Sequence, residues 1–157
     1  MDFTHTDKNG RAAMVDVGEK AVSVRTATAQ ADIRMKSETL RKIRENYVAK
    51  GDVLPCARLA GIAGAKKTSD LIPLCHNIPI EKISVEFEFI GDDILTIKTY
   101  AKCEYKTGIE MEALTAASVA ALTVYDMCKG IDRSMVIERI CLVSKTGGRS
   151  GDYKRDE

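Results

Sequence analysis

Thr107–Gly130, with the sequence TGIEMEALTAASVAALTVYDMCKG, is predicted to form one long alanine-rich helix. Charged side chains occur only at its two ends, with Glu110 and Glu112 near the start and Asp126 and Lys129 near the finish. The apolar middle predicts a helix that is buried over most of its circumference. Charges at the borders of such a helix adjoin a core or an interface, where they are costly unless they are paired or used in function.

Two interpretations of these charges remain open. In the structural one, Glu near the start and Lys near the finish complement the helix dipole, and Asp126 forms an ion pair with Lys129 three positions later. In the functional one, the charges belong to a site. Glu112 and Asp126 are about four turns apart, roughly 20 Å along the axis, so they cannot act on one atom from the same helix. They would contact different parts of a long substrate, or two chains would build the site.

Length and composition predict a single domain of a soluble globular protein, since 157 residues with 45% hydrophobic and 30% charged side chains can bury one core. We expect this domain to span residues 1–157, with flexible segments over about 1–12 and 147–157. The net charge of +1 argues against binding nucleic acid or an acidic membrane through a basic surface. No apolar stretch is long enough to span a membrane and the first ten residues are polar, so we expect a cytoplasmic location.

Metal, disulfide and common nucleotide motifs are absent from the sequence. The five cysteines form no C-x-x-C pair and there are only two histidines, so we expect neither a metal site nor a disulfide framework. There is no phosphate-binding glycine loop, no dinucleotide fingerprint and no nucleophile elbow. The sequence therefore indicates no cofactor.

Hydrophobic periodicity predicts the remaining elements, and their order predicts the fold. In chain order they are a strand over 21–35, a helix over 38–47 with Ser37 as N-cap, a helix over 53–67 capped by Asp52, an irregular loop over 67–79, a hairpin over 82–90 and 94–105, the long helix, and a strand over 135–145. This is the α+β, ferredoxin-like split βαβ plan, an antiparallel sheet with helices packed on one face. The alanine-rich and glycine-rich helices offer more close-packing surface than one sheet face needs, which favours an oligomer.

A few polar residues stand out in loops, although none is specific by itself. His76 lies in a proline-stiffened loop, as a surface residue or as a held, partly buried ring. Cys75 beside it is interpreted as lining, because no second histidine is near to activate it. Lys50 precedes the second predicted helix and would ordinarily be solvated. The glycine-rich tail with Lys145, Arg149 and Lys154 could close over phosphates, but its composition favours disorder.

Three long motifs together are specific. The segments SDLIPLCH (69–76), KTGIEMEALTAASVAALTVYDMCK (106–129) and KTGGRSGDYK (145–154) closely resemble the molybdenum cofactor biosynthesis protein C family, the cyclic pyranopterin monophosphate synthases. The resemblance implies a lyase that converts the cyclised dihydro-GTP, (8S)-3',8-cyclo-7,8-dihydroguanosine 5'-triphosphate, to cyclic pyranopterin monophosphate and pyrophosphate. It also implies a ferredoxin-like fold and a homohexamer, a trimer of dimers, with sites between subunits.

The resemblance also implies roles for individual residues. Asp126 matches the family's active-site aspartate, and Lys50 and Lys129 are candidates for the proton transfers of ring opening and closure. The matched substrate-contacting segments contain Leu74, Cys75, His76, Met111 and Glu112. Cations for the triphosphate would come from side chains such as Arg25, Lys67 and Lys145. No metal is indicated, and whether Mg²⁺ accompanies the pyrophosphate is open.

Two departures from the family's motifs and one rival function complete the expectations. Asn77 stands where the family commonly has Pro, and Gly130 stands where Ala is frequent, so the loop is expected to be looser and the helix end to fray. The rival is a non-catalytic ferredoxin-like module that senses a nucleotide or pterin. An acid beside two lysines argues against it, because binding alone does not call for that grouping.

Overall fold

The computed structural model describes residues 9–156 and contains one antiparallel sheet covered by helices. The elements are β1 (Ser23–Arg34), α1 (Ser37–Arg44), α2 (Val53–Ala65), α3 (Thr68–Leu71), β2 (Lys82–Ile90), β3 (Ile94–Tyr105), α4 (Glu110–Cys128), β4 (Val136–Thr146) and β5 (Tyr153–Lys154). The strand order is β2-β3-β1-β4-β5, and all neighbouring pairs are antiparallel. The predicted α+β, ferredoxin-like fold is confirmed.

The β2–β3 hairpin and the central strand β1 agree with the sequence pattern. The turn between β2 and β3 contains Gly91 at φ +59°, a conformation that glycine adopts without strain. β1 pairs with β3 along its whole length and with β4 on its other side, where two irregularities shift the register. One end of the sheet therefore brings together the start of β1, the end of β3 and the end of β4.

The small residues of the helices serve contacts within this chain. Along β1, Ala27, Ala29 and Ala31 are buried under α4. A Cβ atom on Gly61 of α2 would lie 2.9 Å from the Ala116 carbonyl oxygen of α4, closer than real Cβ contacts allow. Close packing of α2 on α4 therefore accounts for much of the small-residue surface that the sequence offered as a sign of an oligomer.

Helix boundaries differ from the predictions where a distant contact or a short turn intervenes. The prediction of Ser37 as N-cap was wrong: Lys36 occupies that position without a side-chain cap, and α1 begins at Ser37. Asp52 stands at the N-cap position of α2, but its carboxyl accepts a hydrogen bond from Asn46 rather than capping the helix. The segment predicted as an irregular loop over 67–79 begins with the short helix α3.

The end of the chain is partly incorporated in the sheet. β5 pairs with β4 through Ser144–Lys154 and Lys145–Tyr153, where the sequence had favoured disorder. The flexibility of residues 147–157 stays a prediction, and most of the arm over residues 1–12 lies outside the described residues. No helix in the described part of the chain is long and apolar enough to cross a membrane.

Candidate active site

A cleft of about 760 Å³ opens at the N-terminal end of α4. Four segments form it: the start of β1, the loop that follows α3, the β3–α4 connection and the turn after β4. Its polar and charged lining comprises Lys20, Ser23, Arg25, His76, Lys106, Thr107, Glu110, Glu112, Lys145, Arg149 and Ser150. Leu74, Cys75 and Met111 contribute apolar surface. The cleft therefore combines several cations with a smaller number of carboxyl groups.

Arg25 is the most firmly held of these cations. Its Nε donates to the carbonyl oxygen of Tyr105 at 3.0 Å, and its Nη2 donates to that of Lys106 at 3.3 Å. A Cβ atom on Gly148, at φ +82°, would overlap the Arg25 guanidinium. Glycine at this position therefore lets the turn after β4 lie directly against the arginine.

Lys145 is shared between the two sides of the cleft. It lies on β4 opposite Ala27, where its Nζ is 3.9 Å from Glu110 Oε1 and donates a hydrogen bond to the Ser150 hydroxyl. Its side chain is mostly buried. The turn after β4, the start of α4 and the strand end are thus connected through one ammonium group.

His76 is held by the backbone of the N-terminal segment. Its Nε2 lies 2.8 Å from the Val15 carbonyl oxygen, which fixes the ring at the edge of the cleft. Of the two interpretations of this residue, the held and partly buried ring is correct. Burial raises the pKa of the adjacent Cys75 thiol, and the charge of Glu112 raises it further, so Cys75 is a poor nucleophile and fits the interpretation as lining.

Glu112 is the unusual group of the cleft, because it is buried without being satisfied. Its side chain is only 3% exposed, and its Oε2 is the one buried side-chain polar atom within residues 9–156 that lacks a hydrogen-bond partner. Burial is the main cause that raises the pKa of Glu112 to about 7. The hydrogen bond from its own backbone N–H lowers the pKa, and the negative charge of Glu110 raises it. An unsatisfied buried oxygen facing a cleft is suited to a ligand that supplies the missing partner.

A second charged cluster lies at the other end of α4. Asp126 Oδ1 is 2.6 Å from Lys129 Nζ, which confirms the predicted ion pair, and its Oδ2 is 3.3 Å from Lys50 Nζ. Lys50 also donates to the Asp126 carbonyl oxygen at 2.8 Å. Hydrogen bonds from Lys129 and then from Lys50 hold the pKa of Asp126 below its usual range. All three side chains are about half exposed, so this cluster faces outward.

The structure thus divides the predicted site residues into two groups. Leu74, Cys75, His76, Met111 and Glu112 line the cleft, and Arg25 and Lys145 lie with them. Lys50, Asp126 and Lys129 form the second cluster, about 14 residues of helix away from Glu112.

Two of the predicted cations lie outside this cleft, and some cleft residues were not predicted. Lys67 pairs with Asp70 at 3.2 Å and Lys154 belongs to β5, so their contacts with phosphates stay predictions. Sequence reasoning did not single out Lys20 or Lys106 as binding residues, although Lys106 opens the KTG motif that precedes α4.

Comparisons with known proteins agree along the whole chain. The model of the MoaC family matches residues 14–148. A cyclic pyranopterin monophosphate synthase of Peptoclostridium acidaminophilum is 56% identical over 156 residues, which cover 99% of each chain. Proteins with the same description from Desulfitobacterium hafniense and Brevibacillus brevis are 52% and 53% identical, over 100% and 99% of this chain and 96% and 97% of their own. With its fold, its cleft and its full-length matches, the chain belongs to the MoaC family.

Proposed function

We propose that the chain is a cyclic pyranopterin monophosphate synthase, a lyase of molybdenum cofactor biosynthesis that converts the cyclised dihydro-GTP to cyclic pyranopterin monophosphate and pyrophosphate. The observation that carries this proposal is the cleft, in which cations surround a buried carboxyl group whose Oε2 has no partner. The relatives that match the full length of the chain bear the same function in their descriptions. A sensor module is not favoured by these matches.

Substrate binding is assigned to the cleft. Arg25 and Lys145 bind the triphosphate, with Lys20, Lys106 and Arg149 close enough to share its charge. Leu74, Cys75, His76, Met111 and Glu112 contact the ring system. Glu112, at a pKa near 7, can offer a carboxylate to a ring N–H or a carboxylic acid to a ring acceptor.

Catalysis is assigned to the cluster of Asp126, Lys50 and Lys129. The purine-derived ring must open and reclose, which requires proton transfers that an acid beside two amines can supply. A substrate oxygen then attacks the α-phosphorus, the bond to the bridging oxygen breaks, and pyrophosphate leaves with its charge stabilised by cations. Lys50 and Lys129 both contact the same carboxylate, which holds the two amines where they can exchange protons with the substrate.

The two groups of residues meet only if two chains build one site. Met111, Ser118, Leu122 and Lys129 follow each other at helical spacing along one side of α4, where Met111, Leu122 and Lys129 are exposed. A second α4 packed antiparallel on this side, around a two-fold axis that passes between Ser118 and Leu122, brings the Met111 end of one helix to the Lys129 end of the other. Each pair of chains then has two composite sites.

The remaining assignments rest on the family resemblance. We propose a homohexamer built from three such dimers and a cytoplasmic location. We propose no resident metal, and any Mg²⁺ would arrive with the phosphates. Within residues 9–156, no three His, Cys, Asp or Glu side chains come together in an arrangement that could hold a metal ion.

The test of the activity is direct. The purified protein is incubated with the cyclised dihydro-GTP, and both pyrophosphate and the oxidised, fluorescent pterin are measured. Release of both products in equal amounts is expected. Tight binding of the substrate without either product would overturn the synthase assignment and support the sensor.

The composite site has its own test. Glu112→Gln and Asp126→Asn variants, each inactive alone, are mixed, unfolded and refolded together. If each site takes one residue from each chain, random pairing restores roughly one quarter of the native activity, because half of the dimers are mixed and each of those has one intact site. No recovery on mixing would show that Glu112 and Asp126 act within one chain.

A further inference from the structure

Asp132 lies in the turn that follows α4, three residues after Lys129, and it is only 1% exposed. Its Oδ2 accepts a hydrogen bond from the Lys36 backbone N–H at 2.9 Å and another from the Thr39 hydroxyl at 3.2 Å. Both donors belong to the start of α1, which has no side-chain cap of its own. Asp132 therefore caps a helix that lies about ninety residues earlier in the chain.

The second carboxyl oxygen of Asp132 is held as firmly as the first. Oδ1 accepts hydrogen bonds from the Ser134 backbone N–H at 3.0 Å and from the Ser134 hydroxyl at 2.6 Å. Burial alone would raise the pKa of Asp132, but the hydrogen bonds from Ser134, Lys36 and Thr39 together lower it to about 2. The group is an anion at neutral pH, fixed on both sides by hydrogen-bond donors.

One side of this contact leads to Lys129. The Asp132 backbone N–H donates to the Cys128 carbonyl oxygen at 3.0 Å, and the Lys129 backbone N–H donates to the Tyr125 carbonyl oxygen at 2.8 Å. The backbone of Lys129 is thus part of a tight turn between the last residues of α4 and the buried Asp132. A shift of this turn would move the Lys129 ammonium relative to Asp126.

The other side leads to Lys50. α1 ends at Arg44, and the chain reaches Lys50 through a connection in which Val48 is buried and Gly51 N–H donates to the Val48 carbonyl oxygen. Lys50 then returns to α4 by its bonds to Asp126. The contacts form a closed circuit: α4, Asp132, α1, Lys50 and back to α4.

The Cys128 thiol lies between the two ends of this circuit. Burial is the main cause that raises the pKa of Cys128 to about 11, with Asp132 adding to the rise and Lys50 opposing it. Both charges therefore act on the same buried thiol, although Asp132 and Lys50 are 82 positions apart in the sequence.

We infer that Asp132 is a positioning residue: by joining the start of α1 to the turn after α4, it holds Lys50 and Lys129 on opposite sides of Asp126. This inference rests on the catalytic roles proposed above for those three residues. Asp132 does not touch the cluster itself and acts only through the backbone segments that it joins. A displacement of about 1 Å in such a cluster is enough to slow turnover by one to two orders of magnitude.

Asp132 has two roles that variants can separate: it caps the start of α1, and it joins α1 to the turn after α4. Asp132→Ala removes both roles. Adding Lys36→Asp gives α1 its own N-cap and keeps a negative charge at the helix start, but it does not reconnect α1 to α4. Asp132→Asn is the second single variant. Each carboxyl oxygen of Asp132 accepts from a backbone N–H, so the amide group of asparagine would face one of these donors and lose that hydrogen bond. Val85→Ala, in the core against α2, is the control for a plain loss of stability.

Two measurements are made on each variant. The first combines steady-state kinetics, which give kcat and KM, with thermal unfolding, which gives the midpoint temperature. The second is the signal of Lys50 after ¹³C-dimethylation of the amines, assigned with Lys50→Arg. We expect Asp132→Ala to lower kcat about tenfold or more with KM changed less than about twofold, and Lys36→Asp to restore the thermal midpoint but not kcat. The Lys50 signal should move towards that of a solvated lysine in both, whereas Val85→Ala should lower only the midpoint.

The inference is overturned if kcat returns together with the thermal midpoint in the double variant, because Asp132 would then be only a helix cap. An unchanged Lys50 signal in Asp132→Ala and Asp132→Asn would overturn it as well. The NMR readout does not depend on the substrate. If the native protein gave no turnover, the proposed function would fail while the connection between Asp132 and Lys50 could still be established.

Discussion

The two ends of α4 each carry a carboxyl side chain, but the two groups are in opposite electrostatic situations. Glu112 at the N-terminal end is buried with one oxygen unpartnered, and its pKa is raised to about 7. Asp126 at the C-terminal end is 59% exposed, is paired with Lys129 and Lys50, and has a lowered pKa. One helix thus presents a group that exchanges protons near neutrality and a group that stays an anion.

The helix dipole does not explain this difference. A positive helix N-terminus should favour the carboxylate of Glu112, and a negative C-terminus should disfavour that of Asp126. Both pKa shifts run the other way, because burial outweighs the dipole at Glu112 and two ammonium groups outweigh it at Asp126. The environment provided by the fold, rather than the position on the helix, sets the chemistry of each end.

Removal of the charge at the exposed end should have the largest effect. Asp126→Asn leaves Lys50 and Lys129 without the carboxylate that both contact, and we expect kcat to fall by roughly 10²–10⁴-fold with substrate affinity nearly kept. Steady-state kinetics with pyrophosphate detection gives kcat, and equilibrium binding gives affinity. Asp70→Asn is the matched control, since Asp70 is also exposed and paired with a lysine three positions away, but lies outside both clusters.

Neutralisation of the buried end should change the pH dependence of stability. The pKa of Glu112 is about 7 in the folded protein against an ordinary value of 4.5, so the folded state takes up more protons between these values. Ionisation of Glu112 therefore costs nothing below pH 4.5, a growing amount from 4.5 to 7, and its full amount above 7. Glu112→Gln removes that cost. We therefore expect the free energy of unfolding of the variant, measured relative to the native protein, to be about 2–3 kcal/mol higher at pH 8 than at pH 5.

Urea unfolding at pH 5 and pH 8, at one protein concentration, measures this difference. Glu86→Gln is the control, because Glu86 is an exposed carboxyl on β2 whose side chain is 71% exposed. Equal pH dependence in the native protein and in Glu112→Gln would mean that Glu112 is ionised at little cost. The contrast between the two ends of α4 would then disappear.

Local sequence signals were sufficient for most of the fold and for part of the site. Alternating residues gave β2 and β3, and the uncharged stretch gave α4, because both patterns depend on neighbours along one element. The start of α1 was misassigned because its cap is Asp132, a contact that no local window contains. Lys20 was not identified as a binding residue for the same reason: only the end of the sheet, where β1, β3 and β4 meet, places it in the cleft.

The turn after β4 gives a sharper test of the cleft end. Gly148→Ala would push its Cβ into the Arg25 guanidinium, which would then leave its hydrogen bonds to the Tyr105 and Lys106 carbonyl oxygens, so we expect KM to rise about tenfold with a smaller change in kcat. Gly151→Ala is the matched control, because Gly151 also has a positive φ, but a Cβ there meets nothing within 4 Å. If the two variants raised KM equally, strain in the turn rather than displacement of Arg25 would be responsible.

The smallest expected effect concerns the end of α4 beside Lys129. Gly130 has no positive φ, and a Cβ added there meets nothing within 4 Å, so Gly130→Ala should stabilise the protein by about 0.5 kcal/mol through the lower entropy of the unfolded chain. Gly91 in the β2–β3 turn has equally open space but φ +59°, and Gly91→Ala should destabilise by about 1 kcal/mol. Urea unfolding of both variants tests the pair. A loss of stability in Gly130→Ala would show that the turn between α4 and Asp132 needs a conformation that alanine does not adopt readily. Glycine at position 130 would then stabilise the turn more than it frays the end of the helix.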